Sequence, residues 1–238
     1  MSYRIRGGIR TDDYRLDRIP SHDPRNHEFP VRHAIAKAAK PRSYTWSCPI
    51  NLDQGKDGAC VGFGIAHELA AKPVVVRGIT DQFALKRIYW EAQKIDGWEG
   101  GAYPGAKPFY EGTSVLAGVK VAHAMGAMES YRWAYTLPDL VLGVGYAGPA
   151  VIGVDWYEGM FDPDSSGFLH ATGRVAGGHC TLIVGVSLPR QAFRIHNSWG
   201  KGWGEAGRAW LPFTDMERLL RNGGEACFFV GRKIIAPQ

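Results

Sequence analysis

The sequence predicts an α+β fold in which a helical first half and an antiparallel β second half face each other across a cleft. Two features carry this expectation. Residues 60–126 hold three stretches with apolar side chains at helical spacing, closed by a proline, a Gly- and Pro-rich loop and a glycine respectively. From residue 148 onward the apolar runs shorten to strand length and are bounded by glycine and proline. At 238 residues the chain suits one domain, or two half-domains sharing a groove.

Taken in order, residues 1–42 read as an irregular arm with a short helix at 32–40, and residues 43–238 as the folded body. The helical lobe covers about 54–135 and the β lobe about 136–238. Residues 43–53 are extended and lead into a glycine turn. The helix over 60–72 stops before Pro73, because a residue preceding proline disfavours the helical region. Thr80-Asp81 caps a second helix over 82–95, which places Phe83, Ile88, Tyr89 and Ala92 at helical spacing. A loop follows over 96–111, and the third helix, over 115–125, is stopped by Gly126. Strands are expected over 150–154, 180–186, 192–196, 209–211 and 226–230.

Charge and cysteine usage exclude several functions. The arm holds ten Lys/Arg and five Asp/Glu, which accounts for the whole net charge of +5; the body carries eighteen of each. A neutral body gives no argument for a nucleic-acid partner, despite a pI near 9.0. Cys48, Cys60, Cys180 and Cys227 show no CxxC pair and no metal-ligand spacing, so neither a disulfide scaffold, a metal nor a cofactor is expected. Asp162 and Asp164 share a turn, but no full calcium-ligand loop follows them. Met1-Ser2-Tyr3-Arg4-Ile5-Arg6 lacks the apolar core of a secretory signal. The longest nearly apolar run, 140–154, is too short to span a bilayer and is broken by Gly148-Pro149. A cytoplasmic protein without membrane contact is the expectation.

Residues 54–69 organise the chain. A glycine turn delivers Cys60 to the first turn of a helix, where unpaired N–H groups and the helix dipole favour thiolate, the reactive form. Gln54 lies six residues upstream, across a turn that Gly55 and Gly58 let fold back. Its amide and the Cys60 backbone N–H then form two donors for a developing oxyanion. The bland alternative is a buried structural cysteine. A nucleophilic cysteine needs a base, and the imidazole needs a third group to fix its tautomer and angle. Gly177-Gly178-His179 opens one predicted strand and His196-Asn197 ends the next, so His179 and Asn197 can meet at one sheet end. His196 points to the opposite strand face, Cys180 also faces away from the cleft, and His67 reads as a packed or surface residue. Trp156 and Tyr157 end a strand near the cleft, where a substrate wall and ordinary core packing are equally open.

Three motifs together carry a resemblance: Gln-Gly-x-x-Gly-x-Cys over 54–60, Gly-His before an apolar strand, and Asn-Ser-Trp-Gly-x-Gly-Trp-Gly-Glu-x-Gly over 197–207. The chain resembles the papain-like cysteine peptidases of family C1 over about residues 45–215, in the style of compact disulfide-free bacterial and phage members. The resemblance implies a two-lobed fold with a helical N-terminal lobe, an antiparallel β-barrel-like C-terminal lobe and the active site between them. It implies Cys60 as nucleophile, His179 as general base and then acid, Asn197 as the group that orients the imidazole, and Gln54 in the oxyanion hole. Trp199 would cover the His179–Asn197 hydrogen bond, and Trp199, Trp156 and Gly178 are the expected substrate contacts. Asp57 stands where the family has a disulfide-forming cysteine, which agrees with a reducing compartment, and Val61 replaces a large aromatic residue.

The expected activity is hydrolysis of peptide or protein substrates through an acyl-enzyme. Two other classes stay open. One is a binding or structural module built on the same fold, for instance in a phage particle. The other is an amidase acting on peptidoglycan peptides. The basic arm is read as a segment that docks on a partner or on its own cleft.

Overall fold

The computed structural model describes residues 16–237. Among them seven strands form one sheet, with helices packed on both faces. In chain order these are β1 (Tyr44–Thr45), β2 (Ser130–Ala134), β3 (Ala150–Tyr157), β4 (Val175–Ser187), β5 (Ala192–His196), β6 (Arg208–Pro212) and β7 (Glu225–Val230). The order across the sheet is β2-β7-β3-β4-β5-β6, with every pair antiparallel and β1 added against β4. The helices are α1 (Cys60–Ala70), α2 (residues 81–93), α3 (Val115–Ala124), α4 (Leu137–Tyr146) and α5 (Phe213–Arg221).

Strand alternation divides the apolar side chains between two cores. Val151, Cys180, Leu182, Cys227 and Phe229 pack with α1, α2 and α3, through residues such as Ile65, Ile88 and Val119. Ile152, Val154, Ile183, Ala226 and Phe228 turn to the other face and meet Leu140, Val144, Met216 and Leu219 of α4 and α5. The α+β class is borne out. The sheet is open rather than closed into a barrel, with β2 and β6 at its edges. Single bridges from Pro30 to Trp133 and from Phe168 to Trp210 cover those edges, which would otherwise present unpaired backbone.

Most element positions agree with the sequence reading to within a few residues. The expected helix at 32–40 is instead a single 3-10 turn, Val31–Ala34. The arm's first fifteen residues lie outside the described residues. α2 contains a π-helical stretch, Ala84–Tyr89, and the five-residue step between buried Phe83 and Ile88 is the sequence mark of that insertion. β2, α4 and α5 are additions to the sequence reading. α4 is capped by Thr136, whose side chain accepts from the Asp139 N–H. α5 buries Phe213, Met216, Leu219 and Leu220 and leaves Arg218 and Arg221 outside.

Candidate active site

The site forms where the N-terminus of α1 lies against β4. The turn before α1 is closed by the Asp57 N–H to the Gln54 carbonyl at 3.1 Å and by Gly55 at φ 56. Glu111 accepts from the Gly58 N–H at 2.9 Å and pins the turn from outside. Ala59 precedes the helix and supplies no side-chain cap, and the Val61 amide of the first turn hydrogen-bonds the thiol of Cys60. The turn also presents Gln54, whose Nε2 donates to the Asp57 carbonyl at 2.8 Å. Its Oε1 accepts from the Ser198 hydroxyl at 2.6 Å.

β4 and β5 bring up the other side. His179 lies on β4, and Asn197 follows the last residue of β5. Nε2 of His179 and Oδ1 of Asn197 are 2.8 Å apart, and the same Oδ1 accepts from the Ser198 N–H at 2.8 Å. An amide oxygen only accepts, so Nε2 carries the proton and Nδ1 presents its lone pair. Nδ1 is buried and has no hydrogen-bond partner among the described residues. Trp199 stacks on the imidazole with centroids 4.8 Å apart, and Trp156 meets it edge-on at 4.7 Å. Phe161 and Trp203 close the aromatic shell behind Trp199.

Residues 16–19 of the arm run across this region. The Arg18 N–H donates to the Gly178 carbonyl at 2.8 Å, and the Ile19 N–H donates to Thr113 at 2.9 Å. A Cβ on Gly58 would fall 2.5 Å from Asp17 Oδ2, and one on Gly178 would strike the Arg18 backbone, so these two glycines make room for the crossing chain. Asp17 turns the arm with φ 82.

Burial decides the charges. Desolvation pushes the Cys60 thiol up to about 12, against the pull of the Cys180 and Val61 amides. It pulls His179 down to about 4, against the Asn197 bond. In the covered form the helix N-terminus therefore loses to desolvation, and thiol and imidazole are both neutral near pH 7.

The structure brings Gln54, Cys60, His179 and Asn197 to the junction of α1 with β4 and β5. The Cys180 amide acting on Cys60 places the residue after His179 against that thiol. Trp156 is not a cleft wall here. Its ring is fully buried and packs against His179, because the inward face of β3 carries it into the core. Gly178 meets a peptide backbone, that of Arg18. His67 and His196 stack on each other in a buried cluster at 4.2 Å. The sequence reading gave no role to Ser198, Arg18 or Glu225. The Asn197-Ser198-Trp199 motif contains the first, but its partner Gln54 is 144 residues away.

The chain has the papain-like fold, so the fold implied by the resemblance is borne out. It superimposes on xylellain, a cysteine protease from Xylella fastidiosa, with a TM-score of 0.69 and 18% identity, over 94% of this chain and 98% of that one. Bromelain from Ananas comosus gives a TM-score of 0.57 at 14% identity, over 81% of this chain and all of that one. In sequence, the chain is 35% identical to cathepsin B-like cysteine proteinase 3 of Ostertagia ostertagi over 95 residues, 37% of this chain and 52% of that protein. It is 26% identical to the gamete and mating-type specific protein A of Dictyostelium discoideum over 182 residues, 68% of this chain and 40% of that protein. The chain thus spans about half the length or less of the curated relatives it matches. No family model matches it.

Proposed function

We propose that the chain is a cysteine-type peptidase that cuts peptide bonds through an acyl-enzyme and whose cleft is closed by its own arm. The observation that carries this reading is the buried His179–Asn197 bond, which leaves Nδ1 of His179 unpaired on the strand whose next residue, Cys180, hydrogen-bonds Cys60 through its backbone amide. With the arm withdrawn, water returns to the cleft and the desolvation cost of charge falls. The proton of Cys60 then passes to Nδ1 of His179, and the helix N-terminus stabilises the thiolate. The sulfur attacks the substrate carbonyl carbon. The oxyanion leans on the Cys60 N–H and on Nε2 of Gln54. His179 gives its proton to the leaving amine, then takes one from the water that releases the acid product. Asn197 holds the ring throughout, and Trp199 keeps water from the bond between them.

The arm works here as an inhibitor. Its turn at Asp17 and its hydrogen bonds to Gly178 and Thr113 occupy the floor a substrate chain needs. The four cysteines are free thiols, which suits a reducing, cytoplasmic setting.

The test is turnover of casein and of a peptide library by the full chain and its Cys60→Ala variant, with peptidoglycan peptides assayed alongside. Iodoacetamide labelling near neutral pH, read by mass spectrometry, runs in parallel. The reading expects Cys60 to label ahead of the other three cysteines once the arm is displaced, and peptide cleavage to vanish in Cys60→Ala. Cleavage that survives the substitution overturns the mechanism. Cleavage confined to cell-wall peptides assigns the fold to an amidase instead.

A further inference from the structure

Three separate segments present the site residues, and two buried imidazoles tie all three together from behind. His67 lies about two turns beyond Cys60 on α1. Its Nε2 accepts from the Leu52 N–H at 3.0 Å, in the segment that leads to Gln54. The same segment is held from its other side: the Gly200 N–H donates to the Leu52 carbonyl at 3.2 Å, and the Gln54 N–H to the Ser198 carbonyl at 2.9 Å. His196 ends β5 next to Asn197, and its Nε2 lies 3.1 Å from Oδ1 of Asn51. The His196 carbonyl accepts at 2.6 Å from the hydroxyl of Thr181, which follows His179 and Cys180 on β4. The two imidazole rings stack with centroids 4.2 Å apart and 27° between their planes, and both residues are fully buried.

The Leu52 N–H only donates, so Nε2 of His67 presents its lone pair and Nδ1 carries the proton. That Nδ1 is buried without a hydrogen-bond partner among the described residues, and so is Nδ1 of His196. Each unpaired buried polar atom costs about 1–3 kcal/mol. Two apolar side chains of like size would fill the space without that cost, so stability alone does not account for the pair. An apolar residue at 67 could not accept the Leu52 N–H, and that bond joins the helix of Cys60 to the chain carrying Gln54. Burial pulls both imidazoles below their usual range, so His67 stays neutral and keeps its acceptor near pH 7. We infer that His67 is a positioning residue for the oxyanion site: its Nε2 fixes residues 52–54 against α1 and so sets where the Gln54 amide stands relative to the Cys60 N–H. This rests on the peptidase reading. His196 holds the His67 ring in that direction by stacking, and through Asn51 it holds the same segment one residue earlier. A displacement of about 1 Å in this segment misplaces the donor while leaving Cys60 and His179 where they are.

The experiment is a double-mutant cycle in the full chain. His67→Leu removes the acceptor, His67→Gln puts an oxygen acceptor at the same reach along the side chain, and Gln54→Ala and His67→Leu/Gln54→Ala complete the set. Steady-state kinetics on one cleaved peptide is read together with the iodoacetamide labelling rates of all four cysteines. His67→Leu is expected to lower kcat by about tenfold to a hundredfold with KM nearly unchanged, and His67→Gln to recover most of that loss. In the Gln54→Ala background His67→Leu should lower kcat no further, because the group it positions is gone. Cys60 should label at the rate of the unaltered chain throughout, since the thiol itself is not moved. If His67→Leu does not fold, His67→Met takes its place in the cycle. Equal losses in His67→Gln and His67→Leu overturn the inference, and so does a loss that multiplies in full with that of Gln54→Ala. Faster labelling of all four cysteines with a raised KM gives His67 a structural role alone and overturns it as well. Each of these results leaves the peptidase reading standing. No cleavage by the unaltered chain overturns that reading, and the positioning role with it.

Discussion

Ser198 and Gln54 are joined twice: the Ser198 hydroxyl donates to Gln54 Oε1 at 2.6 Å, and the Gln54 N–H donates to the Ser198 carbonyl at 2.9 Å. Nε2 of Gln54 donates to a carbonyl, which only accepts, so the amide orientation follows from its partners. Ser198 thereby fixes which end of the amide would face the proposed oxyanion. Replacing Gln54 with alanine is expected to lower kcat by about 10²–10³ with little change in KM, because the donor acts on charge that develops only in the transition state. Ser198→Ala leaves the donor and loses its orientation, so its loss should be smaller, about tenfold. Steady-state kinetics on one peptide for both variants checks the order. A larger loss in Ser198→Ala would contradict it.

Gly178 provides a way to expel the arm without touching Cys60 or His179. A methyl group there collides with the Arg18 backbone. With residues 16–19 displaced, the desolvation that holds the Cys60 thiol near 12 and His179 near 4 is relieved. Gly178→Ala should therefore alkylate at Cys60 at least about tenfold faster than the unaltered chain at pH 7, with the rates of Cys48, Cys180 and Cys227 unchanged. Mass-spectrometric labelling kinetics reads all four sites at once. An unchanged Cys60 rate would mean that the arm does not control the thiol.

The other end of α1 is held by one guanidinium. Nη2 of Arg232 donates to the carbonyls of Glu68, Ala71 and Val74 at 2.6, 2.9 and 2.9 Å, closing the C-terminus of α1. Its Nε lies 3.3 Å from Oε1 of Glu68, with both side chains almost wholly buried. Burial still holds the Glu68 carboxyl above its usual range, against the pull of Arg232. Removing one member of a buried pair leaves a desolvated group unpaired, so Arg232→Ala should cost about 3–5 kcal/mol. Arg232→Lys should recover only part of this, since a lysine cannot serve the carbonyls and the carboxylate together. Urea unfolding of the three proteins measures the difference, and a cost below about 1 kcal/mol for Arg232→Ala would show that the pair contributes nothing net.

How much of this was legible in the chain differs by distance along it. Cys60, Gln54, His179 and Asn197 could be singled out because each sits in a local pattern with its own chemistry: a glycine turn before a helix, or a polar residue at a strand end. The β3, β4, β5 and β7 cores were legible as short apolar runs. α5 was legible in principle, since Phe213, Met216, Leu219 and Leu220 recur at helical spacing, but Pro212 next to a short strand masks its start. α4 was hidden inside an apolar run that continues into β3, where helix and strand have the same composition. The Arg18–Glu225 pair could not be read, because nothing local selects a partner 207 residues away. Burial raises the Cys60 thiol against the helix terminus for the same reason: the sequence shows the dipole but not the packing around it.

The stacked imidazoles of His67 and His196 set the acid limit of the fold. Their centroids are 4.2 Å apart, and both rings are fully buried. His67 Nε2 accepts from the Leu52 N–H at 3.0 Å, so that nitrogen must stay unprotonated in the native state. Desolvation, with Arg208 adding to it, pulls His67 down to about 3. His196 is pulled down further by burial, by His67 and by Arg208 and Arg194. In the unfolded chain both titrate near 6.5, so below that pH the unfolded state binds protons that the native state refuses. Stability is therefore full above pH 6.5 and falls as pH drops toward 3, by about 1.4 kcal/mol per pH unit for each imidazole. Glu68 acts in the opposite sense: its raised carboxyl binds a proton in the native state first, which offsets part of the loss just below neutrality. His67→Gln removes one of the two imidazoles and the charge repulsion on the other. Between pH 6.5 and pH 5 the unaltered chain should lose about 2 kcal/mol more than His67→Gln, read from urea midpoints at the two pH values. Parallel losses in the two proteins would show that His67 is not the group that titrates on unfolding.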